Sequence, residues 1–495
     1  MFIKRIFIIV WIGCSFFAGS AAFGQDQGIH VSEENPRYWQ YNGETMMLLG
    51  GTDTDALFQW SNEKLVGQLD TLLASGGNYV RNVMADRGVM IHLEQQRSDT
   101  RDNDVFAFHQ ITEGPDSGLY DLDQWNEEYW ERFRRMLDET AQRDIIVQLE
   151  LWDRHDFSTG VPTRRGWSEH PWNPKNNINY TAEETILEEV GLSRTGDLPF
   201  FRTIPALDGD PVVLAYQEKF ISRVMSMALE YDHVLYVTSN EAHEPVEWAR
   251  HWSQFMLKKA NSMGKNIYRS PMQDNVHETL EEVLNFPEHY EFIEANFGPH
   301  ARSDEAAEEL KQRQANMLRD IWVSLSEHPL PMTQIKASTS HWGFDELLER
   351  SWRGVFSGTS SMRFHRPARG AGLTDRGQKH IAALRKITDM IEPWNAQPHH
   401  QLEDLLSGRT INEAYLMADP GRIYALYMTH DAQFPNPYAD YQVGLDISAI
   451  EGEALIRWYD IENATWGETF TTSDDIVTLN RPGEVHWVAV VTPIP

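Results

Sequence analysis

The chain has 495 residues, 41% of them apolar, which is enough for two or three domains with substantial cores. Its 43 Lys and Arg face 74 Asp and Glu, and the resulting net charge of −31 argues against nucleic acid and anionic membranes as partners. Cys14 is the one cysteine, so a disulfide framework, a catalytic thiolate in the mature chain and a Cys-ligated metal are not expected.

In chain order, the first segment is MFIKRIFIIVWIGCSFFAGSAAFGQDQ. It has basic residues at Lys4 and Arg5, an apolar run from Ile6 to Phe17 too short to span a bilayer, and small residues leading to Ala22-Phe23-Gly24. It reads as a signal peptide over 1–24, which makes the protein exported, periplasmic or secreted. Lipidation of Cys14 is the other reading, and Trp11 fits a lipobox poorly. No other run is long and apolar enough for a transmembrane segment.

From about residue 45 to 390, short apolar runs alternate with amphipathic helical patterns. Strands are predicted at 45–53, 78–86, 144–153, 233–241, 266–273, 290–298, 331–339 and 354–364. The clearest helices are 62–75, 126–143, 217–231 and 374–391. Eight strand–helix units predict an α/β fold, a closed (β/α)8 TIM barrel over 28–395, whereas five or six would give an open doubly wound sheet. About 80 residues rich in Trp, Pro, Asn and His separate the third and fourth strands, and in a barrel they would lie over the mouth. After Glu392-Pro393-Trp394 the pattern changes to short, alternating, turn-punctuated strands, which predict a small antiparallel β-sandwich over 400–495.

Strand alternation sorts which side chains share a face. Ser357, Thr359, Ser361, Arg363 and His365 share one face of the eighth strand, opposite Phe356, Met362 and Phe364. Gln334, Lys336 and Ser338 share a face of the seventh, and Glu294 and Asn296 of the sixth. Gln148 and Glu150 do so in the third, with Asp153 following, while Arg81 lies on the second and Asn240-Glu241 ends the fourth. Buried polar groups are costly, so polar side chains at the carboxyl ends of many strands point to an active site at the mouth. For any one of them alone, a buried salt bridge or a rim position is the plainer explanation.

Carboxyl groups in a cleft with Trp and Asn nearby suit glycoside hydrolysis, in which one carboxyl protonates the leaving oxygen and a second acts as base or nucleophile. The candidate catalytic residues are Glu241 as general acid with Asp153 or Glu294 as base. The candidate substrate-binding residues are Asn240, Arg81, Lys336, Arg363, His365, Trp152, Asp53, Glu150 and His341. Convergence of Arg81, Lys336, Arg363 and Arg366 in so acidic a chain points to an anionic sugar, a uronate or sulfate ester, with neutralisation of the carboxylates as the other explanation. No cofactor or catalytic metal is expected, because HExxH, GxSxG, P-loop and dinucleotide fingerprints are absent. Asp208-Gly209-Asp210-Pro211 is a weak candidate for a structural calcium site.

The Asn240-Glu241 pair resembles the Asn-Glu that ends the fourth strand in the large clan of (β/α)8-barrel glycosidases. NPRYWQYNGETMMLLGGTDTD at 35–55, followed by GGNYVRNVM at 76–84, resembles the opening of apiosidase-like members. The tail from about 402 is similar to the accessory β-sandwich named for collagen binding that follows such barrels, and collagen binding is not inferred from it. The resemblance implies a carbohydrate substrate and a general acid/base role for Glu241. It also implies a nucleophilic Glu at the end of the seventh strand, where this chain has TQIKAST with Lys336 instead. Three explanations follow: inversion with a base from Asp153, Glu150, Glu294 or Asp53; retention with a relocated nucleophile; or sugar binding without hydrolysis. Inversion is the preferred reading. The rivals are a polysaccharide lyase, with Lys336 or His365 abstracting the proton alpha to a uronate, and a non-catalytic glycan-binding protein.

Overall fold

The computed structural model describes residues 28–85, 104–158, 166–192, 198–241, 243–295, 307–337, 344–367, 370–399, 405–408, 414–429, 442–483 and 486–494. The predicted signal segment, His341, Ser338 and Asn296 lie outside the described residues. Eight strands form one parallel sheet: β1 Leu48–Gly51, β2 Tyr79–Val83, β3 Ile146–Asp153, β4 Val234–Asn240, β5 Arg269–Ser270, β6 Ile293–Glu294, β7 Met332–Ala337 and β8 Ser361–Phe364. Their order is β5-β4-β3-β2-β1-β8-β7-β6. The two ends meet where Glu291 N–H donates to the Arg269 carbonyl at 3.0 Å and Glu294 N–H donates to Ser270 Oγ at 3.0 Å. The fold is therefore a (β/α)8 barrel followed by separate antiparallel sheets.

Among the described residues, eight helices of ten or more residues connect or follow the strands: α1 Asn62–Ala74, α2 Glu127–Ala141, α3 Pro211–Ala228, α4 Val246–Ser262, α5 Val276–Asn285, α6 Ala307–Ser324, α7 Phe344–Phe356 and α8 Asp375–Ile391. Among the described residues no helix is long and apolar enough to cross a membrane. Local chemistry explains two departures from the predicted bounds. Helix α3 starts at Pro211 rather than 217, because the Asp210 carboxylate accepts the Val212 and Val213 N–H groups and Pro suits the first turn. Asp208 pairs with Arg202, so the DGDP stretch works as a helix start. The predicted eighth strand loses its first half: residues up to Phe356 complete α7, where Leu347, Leu348, Trp352 and Val355 recur at helical spacing and are buried. Ser357 and Thr359 sit in the turn between α7 and β8, at Gly358 with φ 95°.

The barrel floor is apolar. Leu48, Tyr79, Ile146, Leu235, Val237 and Ile335 cluster there around Trp39, which comes from the N-terminal strand Trp39–Tyr41. The Trp39 indole N–H donates to Ser361 Oγ at 2.9 Å, and its ring meets Phe292 edge-on at 5.5 Å.

The sandwich has strands β9 Gln397–His399, β10 Leu406–Ser407, β11 Ala414–Asp419, β12 Ile423–Met428, β13 Gln442–Asp446, β14 Ala454–Asp460, β15 Thr465–Thr472, β16 Ile476–Asn480 and β17 Trp487–Pro493. They form sheets of order β9-β11-β12-β17-β14-β15 and β10-β13-β16. Leu416, Leu426, Leu445, Trp458, Leu479 and Val491 fill the space between the sheets. The larger sheet's other face packs on the barrel helices, with Tyr427 stacked on Trp352 of α7 at 5.5 Å.

Candidate active site

Arg81, fully buried on β2, organises the centre of the mouth. Its Nε and Nη2 donate to the two oxygens of Glu150 at 2.6 and 2.5 Å, Nη2 also donates to Asn240 Oδ1 at 2.5 Å, and Nη1 pairs with Asp55 at 2.8 Å. Asp55, just beyond β1, has a side chain 1% exposed and gathers groups from the end of β8 and just past it: Arg363 at 3.5 Å, the His365 imidazole at 3.6 Å and Arg366 in direct contact. Arg363 also donates to the Thr52 hydroxyl and to the Thr54 and Ile335 carbonyls. Burial, with Arg363, Arg81 and Lys336 close by, pushes His365 well below the usual imidazole range, so its ring is neutral.

Glu241 follows β4 in a left-handed backbone conformation, φ 52°. That conformation costs a non-glycine residue roughly 1–2 kcal/mol and is held by its surroundings. One carboxylate oxygen accepts from Lys336 Nζ at 2.9 Å and the other faces His155 Nε2 at 2.9 Å. Lys336 Nζ also donates to Asn240 Oδ1, and Asn240 Nδ2 donates to Asp153 Oδ1 at 2.8 Å. Asp153 in turn accepts the His155 backbone N–H at 3.2 Å. Glu241, Lys336, Asn240, Asp153 and His155 thus form one closed network. Burial pushes the Glu241 carboxyl up, but the Lys336 and His155 charges outweigh it and hold the group well below the usual carboxylate range. Of these side chains Glu241 is the most accessible, at 22%, against 4% for Lys336 and 8% for His155.

Two strand irregularities bring these groups in. Ladder register shifts between Gln334 and Ala337 of β7. Gln334 packs against Gly354 of α7, while both Ile335 and Lys336 face the interior, so Gln334 and Lys336 do not share a face. At the ends of β3 and β4 the alternation slips in step. Glu150 and Val237 point inward, Trp152 and Ser239 turn outward, and Asp153 and Asn240 turn back in.

Of the residues predicted for the site, Glu241, Asp153, Asn240, Arg81, Lys336 and Glu150 converge, with Arg363 and His365 joined to them through Asp55. The others stand apart. Glu294 lies lower in the barrel, where it accepts Gln148 Nε2 at 2.7 Å; burial, with Glu150 adding to it against the Gln148 hydrogen bond, pushes its carboxyl well above the usual range. Trp152 is outside the barrel, 2% exposed, in a cluster with Trp248, Trp252, Phe200 and Phe220, a core role rather than a sugar platform. Asp53 accepts the Leu373 N–H at 2.9 Å and fastens the loop after β8. Sequence reasoning missed Asp55, two residues past Asp53, and His155, two past Asp153. In both cases the signal was the polar run directly after a strand end. Arg154, beside His155, pairs with Glu244 in a buried contact. Among the described residues no group of three His, Cys, Asp or Glu is arranged to hold a metal ion.

Comparisons with known proteins agree with this architecture. A family described as a domain of unknown function, DUF6298, matches residues 115–283, from ahead of α2 into α5. No curated protein matches the chain. Among solved structures, a glycoside hydrolase family 5 protein from Bacteroides vulgatus ATCC 8482 superposes with a TM-score of 0.60 at 13% identity, covering 94% of each chain. A second, named glycoside hydrolase, gives 0.58 at 13% identity over 94% of this chain and 97% of that one. At such identity the shared property is the fold, and the likeness runs along nearly the whole length of this chain.

Proposed function

We propose that the protein is an exported glycoside hydrolase that cleaves a polysaccharide or oligosaccharide at the barrel mouth, with Glu241 as general acid and Asp153 as base. The observation that carries this reading is the network at the ends of β3 and β4, in which Asn240 bonds Asp153 and the accessible Glu241 carboxylate is gripped beside it. The fold shared with glycoside hydrolases supports it, as does the resemblance to apiosidase-like barrels. Lys336 leaves no carboxylate at the end of β7, so the second group comes from another strand, and inversion is the outcome we prefer over retention with a relocated nucleophile. Glu294 is a weaker choice of base because it sits below this network.

The test is a panel of neutral, uronate-containing and sulfated glycans assayed with wild type, Glu241→Gln, Asp153→Asn and Glu294→Gln, with products followed by NMR. Wild type is expected to release reducing ends of inverted configuration. Glu241→Gln and Asp153→Asn should each lose about 10²–10⁴-fold in kcat, while Glu294→Gln keeps most turnover. Unsaturated uronate products would replace this reading by a lyase using Lys336 or His365. Binding without turnover, unchanged in Glu241→Gln, would replace it by a glycan-binding protein. The anionic substrate class rested on Arg81, Lys336, Arg363 and Arg366, which all contact protein carboxylates. Neutral glycans therefore stand in the panel on equal terms.

A further inference from the structure

A general acid must carry a proton, yet Glu241 is gripped at both oxygens by cationic or proton-bearing groups. We propose that Lys336 and His155 divide the control of Glu241 between them: Lys336 anchors one oxygen from inside the barrel, and His155 exchanges a proton with the other. This rests on the reading of Glu241 as the general acid.

The two arms differ in kind. Lys336 is buried and is tied to Asn240 as well as to Glu241; burial lowers its ammonium from the usual range against the pull of Glu241, and these two contacts hold its charge in place and poorly screened. His155 leaves the end of β3, its backbone N–H held by Asp153 and its Nε2 aimed at Glu241 Oε2. Imidazole takes and releases protons near neutral pH, which an ammonium does not. Around the carboxylate stand Lys336 from β7, Arg81 from β2, Asp153 and His155 from the end of β3, and His365 past β8. Of these, Arg81 and Lys336 are committed to ion pairs and His365 is held neutral, leaving His155 as the exchanger in direct contact. In the step itself the Nε2–H bond of the imidazolium breaks and an Oε2–H bond forms, leaving neutral imidazole and neutral carboxyl. That proton passes to the departing glycosidic oxygen, Glu241 returns to carboxylate, and water restores the proton on His155. Lys336 is a positioning residue in this scheme, and it opposes any lasting protonation of Glu241.

Carboxyl-carbon NMR of the full chain labelled with ¹³C at Glu tests this without a substrate, with the Glu241 signal assigned by its loss in Glu241→Gln. In wild type the signal should stay at the carboxylate position well below the ordinary Glu midpoint of about 4.3. It should also show a small inflection at the midpoint of the His155 ring, itself followed by ¹⁵N-His labelling. Lys336→Met should raise the Glu241 midpoint by about one pH unit or more, Lys336→Arg should restore it, and His155→Gln should abolish the shared inflection. A wild-type midpoint near the ordinary value overturns the proposal whether or not the Lys336 and His155 variants fold. So does an unmoved midpoint in Lys336→Met, or an inflection that survives His155→Gln. Because no glycan is involved, a negative result here leaves the hydrolase reading standing, and failure of hydrolysis leaves this result unaffected.

Discussion

Asp55, a residue not chosen from the sequence, joins the cluster around Arg81 to the groups at and just past the end of β8. It is buried against Arg81, Arg363 and Arg366, with His365 close by. Removing one partner of a buried ion pair leaves an uncompensated charge and costs about 3–5 kcal/mol. Asp55→Asn is expected to lose that much, read from urea denaturation, and to release Arg366 from its place beside His365. Asp55 was not legible in the sequence because it follows the strand rather than lying on it. Alternation says nothing about where a side chain past the last ladder bond will point. Asp53 was the nearer choice, and its carboxylate instead caps the loop after β8. Arg81 was legible for the opposite reason: it lies inside a regular strand, where period-two alternation holds.

At the scale of elements, β1 approaches β2 as closely as it does because position 50 is glycine. A Cβ on Gly50 would run into the Tyr79 carbonyl oxygen of the paired strand β2. Gly50→Ala should therefore cost about 4 kcal/mol or more, or abolish soluble expression, with circular dichroism and yield as the measurements. The eight-strand count, the helices between them and the change to a sandwich after β8 and α8 were all readable, since each depends on periodicity summed over many residues. What escaped was phase. The bulge in β7 and the paired slip at the ends of β3 and β4 move single side chains from one face to the other. Trp152, read as a mouth residue, went outward by that slip. Ser357 and Thr359 went to a turn because the amphipathic pattern of α7 prevails over the β-branched and small residues that follow it.

At the scale of the molecule, sandwich and barrel are joined by a charged contact as well as apolar packing. Glu462, just past β14, accepts Arg376 Nη2 at 2.6 Å and Nε at 3.1 Å, and faces His380 Nε2 at 3.0 Å, both from α8. Burial pushes the Glu462 carboxyl up, but the hydrogen bonds and charges of His380 and Arg376 outweigh it and hold the group far below the usual range. A carboxylate whose folded value is depressed contributes stability that is complete above the unfolded value of about 4.3 and is lost as pH falls through the folded value. The difference in urea midpoint between wild type and Glu462→Gln should thus be widest at neutral pH and narrow progressively as pH falls below about 4.3. The mouth has a different electrostatic character. Asp55, Glu150, Asp153 and Glu241 are matched there by Arg81, Lys336, Arg363 and Arg366. The net charge of −31 therefore belongs to the rest of the molecule and is felt mainly by whatever is still approaching. A polyanionic glycan would travel uphill to reach a neutral destination, and kcat/KM for it should climb as added salt shortens the Debye length, whereas a neutral glycan would arrive at the same rate in fresh water and in brine.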